Sequence, residues 1–280
     1  MPYVLPEGYH LSPTSINLLQ KCPRKFEFKF VRHIPYVHTP SMSVGIMVHS
    51  ALEAYYGQVI AGGGRMAPRE LAAYANDVVV PGYLAGNEHL ISEKQCRKHV
   101  PAIAAHYVEV LGCQVEPEAV EEGVARTFRC GLVVSGHIDL RCRLAKGTPA
   151  SGIVDYKITS EKRQWTPHRL ANSLQFHLYS YMTGLPLVTI HNCIKRKDQP
   201  LPRSRLGRPS RDGVTAYANN IIALRHRFDA RHSDWLEDIV ERAAALITAG
   251  IFLPCDPESW FCSRKGCEYW LLCRGRRHRA

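Results

Sequence analysis

Over roughly the first 110 residues the apolar positions recur every three or four residues; beyond residue 120 they mostly alternate. Residues 11–31 (LSPTSINLLQKCPRKFEFKFV) open with Ser12 and Thr14 as possible N-caps, and Pro13 is tolerable in a first turn. Ile16, Leu18 and Leu19 then form a short amphipathic helix, which Cys22-Pro23 interrupts. In 43–60, Val44, Val48, Leu52 and Tyr55 make one helical stripe, and His49, Glu53 and Tyr56 share a neighbouring face. Gly62-Gly63-Gly64 ends that segment, and further helices are predicted near 68–83 and 92–111.

Residues 122–130 and 132–144 read as strands around a tight turn at Arg129-Cys130-Gly131. A turn at 146–149 precedes a third strand at 152–159, a helix at 172–183 and a fourth strand at 186–194. Residues 195–213 are a loop carrying seven Lys/Arg, and 216–250 read as a long helix or a broken pair. The order predicts an α/β fold, a largely sequential mixed sheet with a helical attachment.

Hydrophobic residues make up 45% of the 280 and charged residues 22%, which excludes a wholly disordered or fibrous chain. No apolar run approaches the roughly 18 residues of a membrane span, and no basic leader precedes an apolar stretch, so no membrane partner is expected and an intracellular site is. A net charge of +11 favours a polyanionic partner, most simply nucleic acid. Four of the ten cysteines lie in the last 26 residues, a clustering that suggests a metal or cluster site rather than disulfides.

Alternate strand residues share a face. His137 and Asp139 of GHIDLRC therefore face one way and Ile138 and Leu140 the other, while in GIVDYKIT Asp155 and Lys157 share a face opposite Val154, Tyr156 and Ile158. If the two strands pair through the turn at 146–152, Asp139 sits close to Asp155 and Lys157. Two carboxylates beside a lysine at a hairpin end repel each other and resist burial unless a hard divalent cation such as magnesium or manganese joins them. His137 ranks as a neighbour of that group rather than a ligand, and Glu53 is either a support for the His49 imidazole or a surface residue.

The order of these residues resembles the RecB-like, iron–sulfur branch of the PD-(D/E)xK nuclease superfamily. The resemblance runs from Leu11 to Cys273 and is carried by Ser15, Cys22-Pro23, Gly45 with His49, Gly136 with Asp139, Asp155 with Lys157, Gln175 with Tyr179, and the final cysteines. It extends to the AddB nuclease domain and to CRISPR-associated four-cysteine nucleases. Isoleucine, not proline, precedes Asp139, and Asp155 stands where glutamate is common.

The resemblance implies a restriction-endonuclease-like core with a mixed central sheet flanked by helices, in a single domain over 1–280 with its catalytic sheet at 119–194. It implies Mg2+ or Mn2+ held by His49, Asp139, Asp155 and the main-chain carbonyl of Tyr156, with Lys157 as catalytic lysine and Gln175 and Tyr179 positioning DNA and water. It also implies that 11–31 and 252–274 are pinned together by a [4Fe–4S] cluster on Cys22, Cys262, Cys267 and Cys273. Four thiolates suit tetrahedral zinc as well, and Cys255 is set aside as surplus.

The activity implied is a DNA exonuclease acting on ends or single strands in recombination, repair or phage DNA processing, in the cytoplasm of a bacterium or phage-infected cell. Lys195, Arg196, Lys197, Arg203 and Arg205 of the basic loop would hold phosphates. Phe26, Phe28 and Phe30 read either as core or as a stacking surface for bases. No G-x4-G-K-[ST] occurs, so unwinding would fall to a helicase or recombinase partner. A binding module without catalysis, or a nuclease subunit of a helicase–nuclease or CRISPR adaptation complex, is the alternative.

Overall fold

The structure is a computed structural model that describes residues 10–35, 39–144, 151–160, 164–195, 210–211, 213–218, 220–229 and 233–274. A short strand β1 (His10–Leu11) leads into α1 (Pro13–Lys21). Ser12 Oγ accepts the Ser15 N–H at 3.0 Å while Ser15 Oγ accepts the Ser12 N–H at 2.8 Å, so two otherwise orphaned amides are satisfied. Cys22 ends α1, and Pro23 starts α2 (Pro23–Phe26), which runs on as a π-helical turn to Val31. Next comes α3 (Pro40–Ile60), in which Val44, Val48, Leu52 and Tyr55 are all buried. α4 (Pro68–Tyr74) and α5 (Val80–Leu84) are joined by a π-helical turn, just before Pro81 removes a backbone donor. α6 (Glu93–Leu111) completes the helical half.

The sheet consists of β2 (Val115–Thr127), β3 (Val133–Leu144), β4 (Ser151–Ser160), β5 (Leu187–Lys195), β6 (Val214–Ala218) and β7 (Ile221–Arg227), with β1 paired to the start of β3. Its path is β1-β3-β4-β5-β7-β6, and β2 runs antiparallel along β3. β4 and β5 are parallel, joined across α7 (Pro167–Ala171) and α8 (Leu174–Thr183). The remaining helices are α9 (Ser233–Thr248) and α10 (Trp270–Cys273). The expected mixed α/β fold with flanking helices is present.

Three differences from the sequence reading have physical causes. Residues 216–218 and 221–227 form strands rather than helix: β7 pairs antiparallel with β5 and satisfies an edge that would otherwise lie open, which outweighs the helical preference of Ala, Leu and Arg. The sheet is therefore not sequential at that edge, since β7 lies between β5 and β6, and it extends beyond 119–194 at both ends. Third, Ile138 and Leu140 do not share an environment. Leu140 packs with α3 and α6 residues such as Leu52, Tyr56 and Tyr107, whereas Ile138 packs with Phe176 and Tyr179 of α8. The strand thus turns about its axis at Asp139.

A further apolar cluster joins the termini to the core: Ile16, Leu19 and Phe26 pack with Leu178, Val240, Ile247 and Phe252. Phe26 and Phe28 are buried, so they are core residues rather than a stacking surface. Lys25 pairs with Glu268 at 2.7 Å, the Arg24 N–H donates to the Leu253 carbonyl, and the Tyr269 hydroxyl donates to the Ile34 carbonyl. Of the expected DNA-binding loop, Arg196, Lys197, Arg203 and Arg205 lie outside the described residues, and only the backbone of Lys195 is described, at the end of β5.

Candidate active site

The ladder between β3 and β4 covers Leu140↔Val154 to Arg143↔Ser151 and goes no further. The next residues are Asp139 and Asp155, at the point where the strands part. There the Tyr156 N–H donates to Asp139 Oδ2 at 2.7 Å. His49 reaches the same point from α3: its Nε2 is 3.0 Å from the Tyr156 carbonyl and its Nδ1 is 3.5 Å from Asp139 Oδ2. A carbonyl only accepts, so the first contact requires a proton on Nε2 and turns Nδ1 toward the carboxylate.

Lys157 follows on the other face of β4 from Tyr156. Its ammonium lies 2.9 and 2.6 Å from the two Asp155 oxygens and 5.7 Å from the centre of the Phe176 ring. Tyr179 approaches from α8, with Gln175 near its hydroxyl. It can do so because position 136 is glycine: a Cβ there would stand 3.1 Å from the Tyr179 ring.

Charge and burial act against each other at every member. Burial disfavours ionised Asp139, yet the bond to His49, the nearby Lys157 and the Tyr156 N–H hold its carboxyl below the usual range. Burial would lower the His49 pKa, and the Asp139 contact raises it overall. For Asp155 burial wins over Lys157, and its carboxyl is raised to about 6. Lys157 is stabilised in its charged form by Asp155 and Asp139 despite its burial.

One participant was not expected. Glu121 of β2 stands opposite Asp139, between the pairs Val120↔Leu140 and Glu122↔Ile138. His49, Asp139 and Glu121 each bring a ligand-type atom within 4.8 Å of the others. Burial, then the charge of Asp139, raise the Glu121 carboxyl to about 7. Asp155 is outside that triangle, turned toward Lys157. His137 is exposed, and exposed Glu53 lines an adjoining groove of about 670 Å3 together with Ser50, Tyr74, Tyr83 and Val120.

The model of the PD-(D/E)XK nuclease superfamily matches residues 10–274. The chain belongs to that superfamily. A solved structure described as the crystal structure of SSO0001 aligns with a TM-score of 0.43 and 13% identity, over 95% of this chain and 86% of that one. No curated protein matches the chain significantly. The superfamily implies phosphodiester hydrolysis and typically a Mg2+ or Mn2+ ion. The residues fit such an ion: one imidazole and neighbouring carboxylates are hard donors, and the Nδ1 of His49 facing Asp139 Oδ2 is an arrangement that a cation or a proton relieves.

A second group of donors lies at the junction of the termini. Cys22, Cys255, Cys262, Cys267 and Cys273 line one pocket, with Phe28, Tyr269 and Trp270 around them. None of the ten cysteines is in a disulfide. Cys255, read from the sequence as surplus, stands beside Cys22 and Cys262; burial, then these neighbouring thiols, push its thiol up to about 12. Thiols gathered from both ends of the chain suit a soft metal or an iron–sulfur cluster. The scattered Cys96, Cys142 and Cys193 are buried elsewhere. Among the described residues no helix is long and apolar enough to cross a membrane.

Proposed function

We propose that this chain is a magnesium- or manganese-dependent deoxyribonuclease of the RecB-like, iron–sulfur branch. On this reading it is an exonuclease on DNA ends or single strands in recombination, repair or phage DNA processing, working beside a helicase or recombinase. The observation that carries the reading is the convergence of His49, Asp139, Asp155 and Lys157 where β3 and β4 part.

A divalent ion held by His49, Asp139 and Asp155 would polarise the scissile phosphate and make its water a better nucleophile. Lys157, fixed by Asp155, holds a positive charge beside the reacting phosphate and stabilises negative charge as it develops. Gln175 and Tyr179 border the same space and orient substrate or water. The groove between α3 and α4–α5, lined by Ser50 and Glu53 of the helix that carries His49, offers room for a strand, and the basic residues Lys195, Arg196, Lys197, Arg203 and Arg205 supply sequence-independent phosphate contacts. Cys22, Cys262, Cys267 and Cys273 hold a [4Fe–4S] cluster that joins the two ends of the chain.

Digestion of end-labelled single- and double-stranded DNA with Mg2+, Mn2+, Ca2+ or excess EDTA tests this. Cleavage with the first two ions is expected, with Asp155→Asn and Lys157→Gln reduced by roughly 10³-fold while DNA binding survives. Full activity in EDTA, or near-normal turnover by both variants, rejects the reading. DNA binding without cleavage under every condition favours the non-catalytic module instead.

A further inference from the structure

We infer that Glu121 is a ligand of the divalent ion at the nuclease site, sharing it with Asp139 across the β2–β3 pair and with His49 from α3. The inference deepens the proposed function and rests on that reading.

Four observations carry it. The first is proximity: ligand-type atoms of Glu121, His49 and Asp139 lie within 4.8 Å of one another, close to the roughly 4.2 Å across one ion with bonds of about 2.1 Å, so a small side-chain shift brings all three into one shell. The second is the pairing. Glu121 and Asp139 both fall between the pairs Val120↔Leu140 and Glu122↔Ile138 of antiparallel strands, and like charges facing each other there are destabilising unless a cation lies between them.

The third is contrast with its neighbours. Glu118 pairs with Arg143 at 2.9 Å and Glu122 with Arg141 at 3.2 Å, so the nearest acids on either side have arginine partners on β3. Glu121 has no hydrogen bond or ion pair among the described residues. The fourth is the backbone: Glu121 has φ of +46°, in the left-handed region, unlike any other residue described in β2. A residue with a Cβ is disfavoured there. That conformation sits where β3 turns about its axis at Asp139, and it adds a carboxylate to the site.

Glu121 joins His49, Asp139 and Asp155 around the ion, and Asp155, engaged with Lys157 at 2.6 Å, also holds that ammonium in place.

Titration calorimetry with Mn2+ alone, on the full chain purified anaerobically, tests the assignment. Wild type should bind Mn2+, Asp139→Asn should lose binding, and Glu121→Gln should bind roughly tenfold or more weakly, the scale seen even for groups that only support ligands. Glu121→Gly relieves the positive φ, so it should fold at least as stably as wild type and show the same loss of Mn2+ affinity. It keeps the test decisive should glutamine disturb the strand. If Asp139→Asn loses Mn2+ while both Glu121 variants bind like wild type, Glu121 is not a ligand and the nuclease reading stands. If Asp139→Asn binds like wild type, the metal site itself is wrong, and Glu121 falls with it.

Discussion

Asp139 Oδ2 lies 2.7 Å from the main-chain nitrogen of Tyr156, one residue past the last backbone pair between β3 and β4. A side chain thus takes over where the ladder stops, and the carboxylate is tied to the strand that carries Asp155 and Lys157. Two variants separate the structural from the chemical part of this bond. Asp139→Asn retains an acceptor for the N–H and should fold with little loss, but without metal-dependent cleavage. Asp139→Ala leaves a buried donor unpaired and should cost a further 1–3 kcal/mol or so in denaturant unfolding. Equal stability of the two variants would show that the bond contributes nothing.

Gly136 and Tyr179 make the second testable contact. An added methyl at position 136 would stand 3.1 Å from the ring, 3.2 Å from the hydroxyl and 3.4 Å from Pro13. Gly136→Ala should displace Tyr179 and lower stability by about 1–3 kcal/mol, the usual cost of overpacking. Cleavage should drop with it, because Gln175 lies near the same hydroxyl. Gly136→Ala combined with Tyr179→Leu should recover stability but not activity. An unchanged melting temperature in the single variant would contradict the contact.

For the cysteines, iron and zinc analysis of anaerobically purified protein is decisive. Cys22→Ser, Cys262→Ser, Cys267→Ser and Cys273→Ser should each lose metal and destabilise the fold. A staple between Cys22 and Cys273 closes a loop of about 250 residues, worth roughly 2–4 kcal/mol on the disulfide analogy. Cys255→Ser should retain the metal, since four thiolates remain. Loss of metal in Cys255→Ser with retention in one of the other variants would move Cys255 into the ligand set, where its contacts with Cys22 and Cys262 already bring it close.

His191 gives the pH dependence of stability. It is buried in β5, its Nδ1 is 2.7 Å from the Tyr107 hydroxyl, and burial, then Arg225, lower its pKa from 6.5 to about 3. The unfolded chain takes up a proton near 6.5 and the folded chain does not until about 3. The contribution is therefore complete above 6.5 and is lost as pH falls from there toward 3, at about 1.4 kcal/mol per unit. His191→Gln should flatten the acid limb of the unfolding free energy measured against pH. An acid limb as steep as in wild type would assign the effect to other groups.

Much of this arrangement follows from the sequence alone. The period of apolar positions predicts α3 and α6, the Arg129-Cys130-Gly131 turn predicts the β2–β3 hairpin, and D-x-K on one strand face puts Asp155 beside Lys157, because these are local properties of helix and strand geometry. Even Glu121 was within reach: a hairpin turning at Cys130 sets residues 121 and 139 opposite each other, nine positions on either side. Tertiary structure decided the rest. Residues 214–218 and 221–227 became β6 and β7 because β5 had an edge to pair, a demand their own residues do not encode. Cys255 joined the other thiols because the C-terminal tail folds back against α2, and Glu121 turned into the site through a backbone angle that no residue pattern announces. Local spacing specifies faces and turns; which faces meet depends on long-range packing, and in this chain the site lies where those faces meet.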